Sequence, residues 1–217
     1  MIRATPRPTL NYKLPRIVLC TIVFYTLSLL SGCSIFDSRD ESTNTTQYNW
    51  EQARLKLQKQ THWSLIGKIG VRTPEDSLTA AINQWVQSED SFEIDLSSTF
   101  FGLGASKLKG NSQFLTLMEA GEEPVSSNQP NTLIEATLGF PLPLTQLTYW
   151  IKGLPSPNHT FQIEFNQQGL PASIKQNHWQ LYFSKYHFEQ GIPLPGKIKL
   201  ERKDTRIILA IKKWTLN

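Results

Sequence analysis

Two stretches of the chain alternate cleanly between apolar and polar residues. In "SFEIDLSS" the residues Phe92, Ile94 and Leu96 alternate with Ser91, Glu93, Asp95 and Ser97; in "TFQIEFNQ" the residues Phe161, Ile163 and Phe165 alternate with Gln162, Glu164 and Asn166. A period of two sends successive side chains to opposite faces of a β-strand, so each stretch predicts a strand with one apolar and one wet face. Weaker alternation in "SLIGKIGVR", "SLTAAINQWVQ", "SKLKG", "QFLTLMEA", "PASIKQ", "HWQLYFSKY", "GKIKLER" and "RIILAIKKW" brings the total to about ten strands, with "TPEDS", "NQQGLP" and "RKDT" as turns.

The period changes in two places. "NWEQARLKLQKQ" sets Trp50, Ala53 and Leu57 at helical spacing among residues of good helical propensity. Between residues 128 and 152 the alternation lapses again: "NTLIEATLG" ends at a glycine, and "PLTQLTYWIKG" places Leu144, Leu147 and Trp150 one helical turn apart, between Pro143 and Gly153. The fold class is therefore mainly β with a few α-helices, a large curved antiparallel sheet interrupted by two short helices that cover its apolar face as a lid or plug. The interior of such a sheet is either a packed core or, in a barrel of this strand number, a ligand cavity.

One apolar run shows no alternation. Residues 17 to 30 follow Arg3, Arg7, Lys13 and Arg16 without an intervening acid and lead into Ser31, Gly32 and Cys33. This order is that of a cleaved signal peptide, and the run is shorter than the ~20 residues a membrane-spanning helix requires. Leu30, Ser31, Gly32 and Cys33 resemble the lipobox of bacterial lipoproteins, in which the cysteine thiol takes a diacylglyceryl group, the chain is cut before it, and the new amine is acylated. The organisation expected is a signal peptide over 1–32, the lipidated Cys33 with a flexible tether over 33–47, and a single domain over 48–217. The polar tether "SIFDSRDESTNTTQ" would span about 20 Å on average and about 50 Å at full stretch. Cys20 lies in the discarded segment, so the mature chain would hold no free thiol for disulfides, metal sites or nucleophilic catalysis.

Cleavage also changes the charge. The whole chain has 22 basic and 18 acidic residues, and removal of residues 1–32 takes four bases and no acid. No general surplus remains for nucleic acid binding. A local one does: Lys197, Lys199, Arg202, Lys203, Arg206, Lys212 and Lys213 face only Glu201 and Asp204. These residues read as solvated strand faces or as a patch for anionic lipid or an acidic partner.

Candidate chemistry is sparse. His62, His159, His178 and His187 lack metal-ligand spacing. Ser106 and Lys109 match the SxxK of serine acyl enzymes without the companion motifs, and "GLGASK" lacks the ending of a phosphate loop. Glu93 and Asp95 share the wet face of a strand. No catalytic site, metal or cofactor is expected. One stretch stands out: "STFFGLGAS", residues 98–106, carries Phe100, Phe101 and Leu103 beside two glycines where a turn should be polar. These side chains either fold onto the core or form an apolar patch for a membrane or partner.

"GFPLPLTQLTYWIKGLP", residues 139 to 155, resembles the GxPLPxxxLxxWxxGLP segment of the LolB family through Gly139, Pro141, Leu142, Pro143, Leu147, Trp150, Gly153 and Pro155. "GKIGV" at 67–71, "NQW" at 83–85, "WQLYFSKY" at 179–186, "LPGKIKL" at 194–200 and the terminal "IILAIKKW" follow in family order. The family often has glycine where this chain has His178, and the loop at 98–106 is longer than usual.

The resemblance implies an incomplete antiparallel β-barrel plugged by helices around an apolar cavity that holds the acyl chains of lipoproteins. It implies an outer-membrane receptor, lipid-anchored and facing the periplasm, which accepts lipoproteins from the periplasmic carrier LolA and inserts them into the inner leaflet. The partners are then LolA, cargo lipoproteins and outer-membrane phospholipid; the receptor is a monomer, without cofactor and without enzymatic activity. Ser34 after the lipidated cysteine fits the family rule for sorting to the outer membrane. The acyl-chain cavity is expected against Phe92, Ile94 and Leu96 on one strand and Phe161, Ile163 and Phe165 on another. Phe100, Phe101 and Leu103 are the expected membrane-insertion loop, with Leu103 best matching the family's loop tip. Competing readings are a lipid-anchored envelope scaffold with a filled core and, more remotely, a lipid hydrolase.

Overall fold

The computed structural model describes residues 48–97 and 105–217. Among them the ten strands expected from alternation are all present: β1 (His62–Arg72), β2 (Ser77–Ser88), β3 (Ser91–Ser97), β4 (Ser106–Gly110), β5 (Leu115–Glu119), β7 (Phe161–Phe165), β8 (Pro171–Gln176), β9 (Trp179–Ser184), β12 (Lys197–Arg202) and β13 (Thr205–Leu216). Three more, β6 (Val125–Ser127), β10 (His187–Glu189) and β11 (Ile192–Leu194), are three residues long, too short to display a period. Eleven strands form one antiparallel sheet in the order β6-β5-β4-β3-β2-β1-β13-β12-β9-β8-β7, while β10 and β11 make a separate hairpin. The sheet does not close, and β6 and β7 are its two edges.

Gly67 sits where both strands beside β1 bulge. The register of β1 shifts at this residue against both β13 and β2. The extra residues belong to the partners, Lys212 on β13 and Asn83 on β2, and they let Ile211 and Trp214 of β13 and Ile82 and Trp85 of β2 face the same core as Trp63, Leu65 and Val71 of β1. A Cβ at position 67 would collide with the backbone carbonyl of Ala210.

The helices start and stop where local chemistry requires. In α1 (Trp50–Lys59) the Asn49 side chain accepts from the Gln52 N–H at 3.2 Å. Helix α2 (Pro130–Leu138) begins with Pro130, whose missing N–H would have no partner in a first turn, and ends at Gly139, left-handed at φ 77°. Helix α3 (Leu144–Trp150) follows Pro143. Its last turn leads into Ile151 and Leu154, both fully buried.

Much of the interior is filled by indoles. Trp63, Trp150, Trp179 and Trp214 are fully buried. Trp63 packs edge-on against Trp214 with ring centroids 5.3 Å apart and against Trp85 at 5.7 Å. Such side chains each bury ~150–250 Å² and dominate core energetics.

Candidate functional site

Between the inner face of the sheet and the two central helices lies a cavity of about 50 Å³ whose lining, among the described residues, is entirely apolar. The sheet contributes Val71, Ile82, Trp85, Ile94, Leu96 and Leu108, among others. Ile134 and Leu138 come from α2, Leu144 and Leu147 from α3, and Phe140 and Leu142 from the link between them. Strand pairing explains the floor: Ile82 lies opposite Leu96, and Trp85 opposite Ile94, so both strands send apolar side chains inward at each step. Small-molecule sites measure ~300–1,000 Å³, so this is a collapsed interior that must dilate to admit a ligand.

The six residues expected around the cavity divide. Ile94 and Leu96 line it, while Phe92 sits one strand repeat away at a second cleft. Phe161 and Phe165 do not enter it. They are 45% and 46% exposed, and Ile163 packs only partly against the core. The physical reason is position: β7 is an edge strand that does not line the space under α2 and α3, and among the described aromatic rings only Trp50 of α1 approaches Phe165, at 6.0 Å. Cys33 and the loop residues Phe100, Phe101 and Leu103 lie outside the described residues.

The motif at 139 to 155 builds the cover and its anchor. Gly139 ends α2, Pro143 starts α3, and Leu142 and Leu147 point into the cavity. Trp150 and Pro155 are buried, and Gly153 has a left-handed backbone at φ 76°. The anchor is held by polar groups that read as surface residues in the sequence. The buried Gln176 amide accepts from Trp150 Nε1 at 2.7 Å and from the Ser156 N–H at 2.8 Å, and donates to the carbonyls of Ser156 at 2.9 Å and His159 at 3.2 Å. The ammonium of Lys152 donates to the carbonyls of Leu57 at 3.1 Å and Gln60 at 2.9 Å, at the C-terminal end of α1 where a positive charge is favoured. Burial pushes that ammonium down to about 8. A Lys between an aromatic and "GLP" carried no sequence signal of this role.

The other candidates form no site. Glu93 and Asp95 lie on the outer face, where Lys107 Nζ meets Glu93 at 3.0 Å. Ser106 is buried and Lys109 exposed, three positions apart and so on opposite faces of β4. Among the described residues no group of histidines and carboxylates could hold a metal. Of the C-terminal bases, Lys199 and Arg206 both pair with Glu201, at 3.2 and 2.8 Å. Lys197 and Lys212 line, with Lys68 and Lys185, an open groove of about 510 Å³.

Fold and site together define a helix-covered, open antiparallel barrel with an apolar interior. The same fold occurs in a LolA superfamily protein from Nitrosomonas europaea, at TM-score 0.50 and 9% identity over 78% of this chain and 94% of that one. It occurs also in a DUF1329 family protein from Desulfovibrio piger, at TM-score 0.50 and 6% identity over 76% and 91%. Within that class the family "Outer membrane lipoprotein LolB" matches residues 61–214. Relatives named outer-membrane lipoprotein LolB include one from Pseudomonas fluorescens, 36% identical over 89% of this chain and 94% of its own, and one from Marinobacter nauticus, 32% identical over 85% and 91%. The chain belongs to the LolB family of outer-membrane lipoproteins.

Proposed function

We propose that this protein receives acylated lipoproteins at the outer membrane, shields their acyl chains between the sheet and α2–α3, and inserts them into the inner leaflet. The observation that carries the reading is the wholly apolar cavity beneath the family motif. Each buried CH₂ of an acyl chain is worth ~0.8 kcal/mol, so cargo needs such a shelter to cross water. The periplasmic carrier LolA supplies the cargo. Residues 1–32 are a signal peptide, Cys33 is the lipidated first residue of the mature chain, and residues 33–47 are the tether of a monomeric domain facing the periplasm. The protein is not an enzyme.

Cargo enters by displacement of the cover rather than into standing space. The structure supports α2 as the part that moves, since it buries only Pro130 and Ile134, whereas α3 buries four of its seven residues and leads into the Gln176 anchor. The decisive experiment is transfer of a labelled lipoprotein from purified carrier to this protein. Transfer to the protein, followed by delivery to liposomes, is the expected result; a protein that takes up no cargo is a scaffold instead.

A further inference from the structure

The inner face of the sheet changes character within one strand repeat. Trp85 and Ile94 are paired across β2 and β3 and line the apolar cavity; Gln87 and Phe92, two residues along each strand and about 7 Å away, are also paired but line a separate cleft of about 680 Å³. Leu144 borders both spaces, so the cleft abuts the cavity. Its other walls include Gln146 and Thr148 of α3 and the segment from Ser156 to His159.

Two polar atoms on residues that line this cleft lack partners among the described residues and are sealed from solvent: Gln87 Oε1 and Ser156 Oγ, on residues only 4% exposed. Gln87 is paired in register with Trp63 and Phe92, neither of which hydrogen-bonds its carbonyl, while its amide nitrogen donates to the Glu89 carbonyl at 2.9 Å. An unmet buried polar atom costs ~1–3 kcal/mol, and native structures tolerate few. Besides His159, the side chains in its lining that carry charge near neutral pH are Glu89 and Asp90, with no lysine or arginine among the described residues.

We infer that this cleft is the subsite for the polar junction of the cargo, where ester and amide groups join the acyl chains to the peptide. The inference rests on the proposed function. As the interior dilates for cargo, Gln87 Oε1 is uncovered to accept an amide N–H of the acylated cysteine and Ser156 Oγ to donate to an ester or amide carbonyl, while the chains run past Leu144 into the cavity. The same lining disfavours a phosphodiester, because two carboxylates face it and, among the described residues, no lysine or arginine does. The protein would thereby separate lipoproteins from phospholipids of equal chain length.

The test uses the full mature chain in lipid nanodiscs with three probes bearing a photoreactive group at the acyl end: a triacylated cysteinyl dipeptide, a plain fatty acid and phosphatidylglycerol. Gln87→Met and Ser156→Ala should each lower capture of the lipopeptide about five-fold, the worth of one hydrogen bond, and leave fatty acid capture within about two-fold. Glu89→Lys, at an exposed position, should raise capture of phosphatidylglycerol. Equal loss of lipopeptide and fatty acid, or no change in either, overturns the subsite, as does unchanged phosphatidylglycerol capture by Glu89→Lys. Failure of the unaltered protein to capture lipopeptide or fatty acid overturns the proposed function itself.

Discussion

Trp150 Nε1 donates to Gln176 Oε1 over 2.7 Å, and both residues are buried. This bond joins the end of α3 to β8, and the same amide holds the chain from Ser156 to His159 through three further bonds. Gln176→Leu should leave an indole N–H, a backbone N–H and two carbonyls without partners. At ~1–3 kcal/mol for each group left fully buried, the loss should exceed about 3 kcal/mol. For a domain of this size, thermal unfolding should fall by roughly 6–12 °C. A fall under about 2 °C would mean that water replaces the amide.

Ile94 and Phe161 look alike in the sequence and should behave oppositely. Ile94→Glu places a carboxylate in the wall of the apolar cavity, where transfer from water is costly. Acyl probe binding should be lost and stability reduced. Phe161→Ser, on the exposed edge strand, should leave both within about 0.5 kcal/mol of the unaltered protein. Normal binding by a folded Ile94→Glu protein would remove β3 from the cavity wall.

Lys152 gives the molecule an unusual response to alkali. Its ammonium is held down at about 8 by burial, whereas an unfolded lysine titrates near ~10.4. Between pH 8 and 10 the unfolded chain thus binds more protons than the folded one, and stability rises with pH across that window, by at most about 3 kcal/mol. Burial pushes the Tyr186 phenol up, which reverses the sign above about pH 10, where unfolded tyrosine ionises and the folded residue does not. Urea unfolding from pH 7.5 to 11 should therefore pass through a maximum. Lys152→Met should lose the rising limb and keep the falling one.

Gly139 sets the turn between the two covering helices. Its φ of 77° is left-handed, and nothing lies within 4 Å of an added Cβ, so a substitution there reports backbone strain alone. Gly139→Ala should cost about 1–2 kcal/mol in denaturant unfolding. Asparagine tolerates this conformation, and Gly139→Asn should recover much of the loss. Equal stability of all three would indicate that the cover rearranges around the substitution.

The loop at 98 to 106 carries the proposed delivery step. Burying an apolar side chain such as Leu103 at the bilayer interface is worth roughly 1.5–3 kcal/mol. Leu103→Asp should leave folding and cargo uptake intact while impairing delivery to liposomes. Unfolding of the variant would assign the loop to the core, and normal delivery would move the membrane contact elsewhere.

Alternation located every strand longer than three residues, because a residue's face is written in the period of two. It could not say whether that face is covered. Phe92, Ile94 and Leu96 on β3 are buried, while Phe161 and Phe165, in the same pattern, stand exposed because β7 is an edge. Proline and glycine punctuation placed α2 and α3 correctly, since those residues act through local backbone geometry. Lys152, Gln176 and Gln87 escaped notice for the converse reason. Their burial depends on partners far away in sequence, and a polar residue in isolation reads as solvent-facing.

The unjoined edges at β6 and β7 bear on how the protein can swell. In a closed barrel each strand ladder is part of a hoop, so the girth is fixed by strand number and stagger, and widening it means breaking a row of backbone hydrogen bonds. Here the hoop has no seam. The two margins can spread and α2 can lift while each ladder stays paired, so enlarging the interior exchanges side-chain contacts for lipid contacts of much the same kind. Loading and unloading then become nearly balanced, which suits the proposed role of taking up cargo and releasing it.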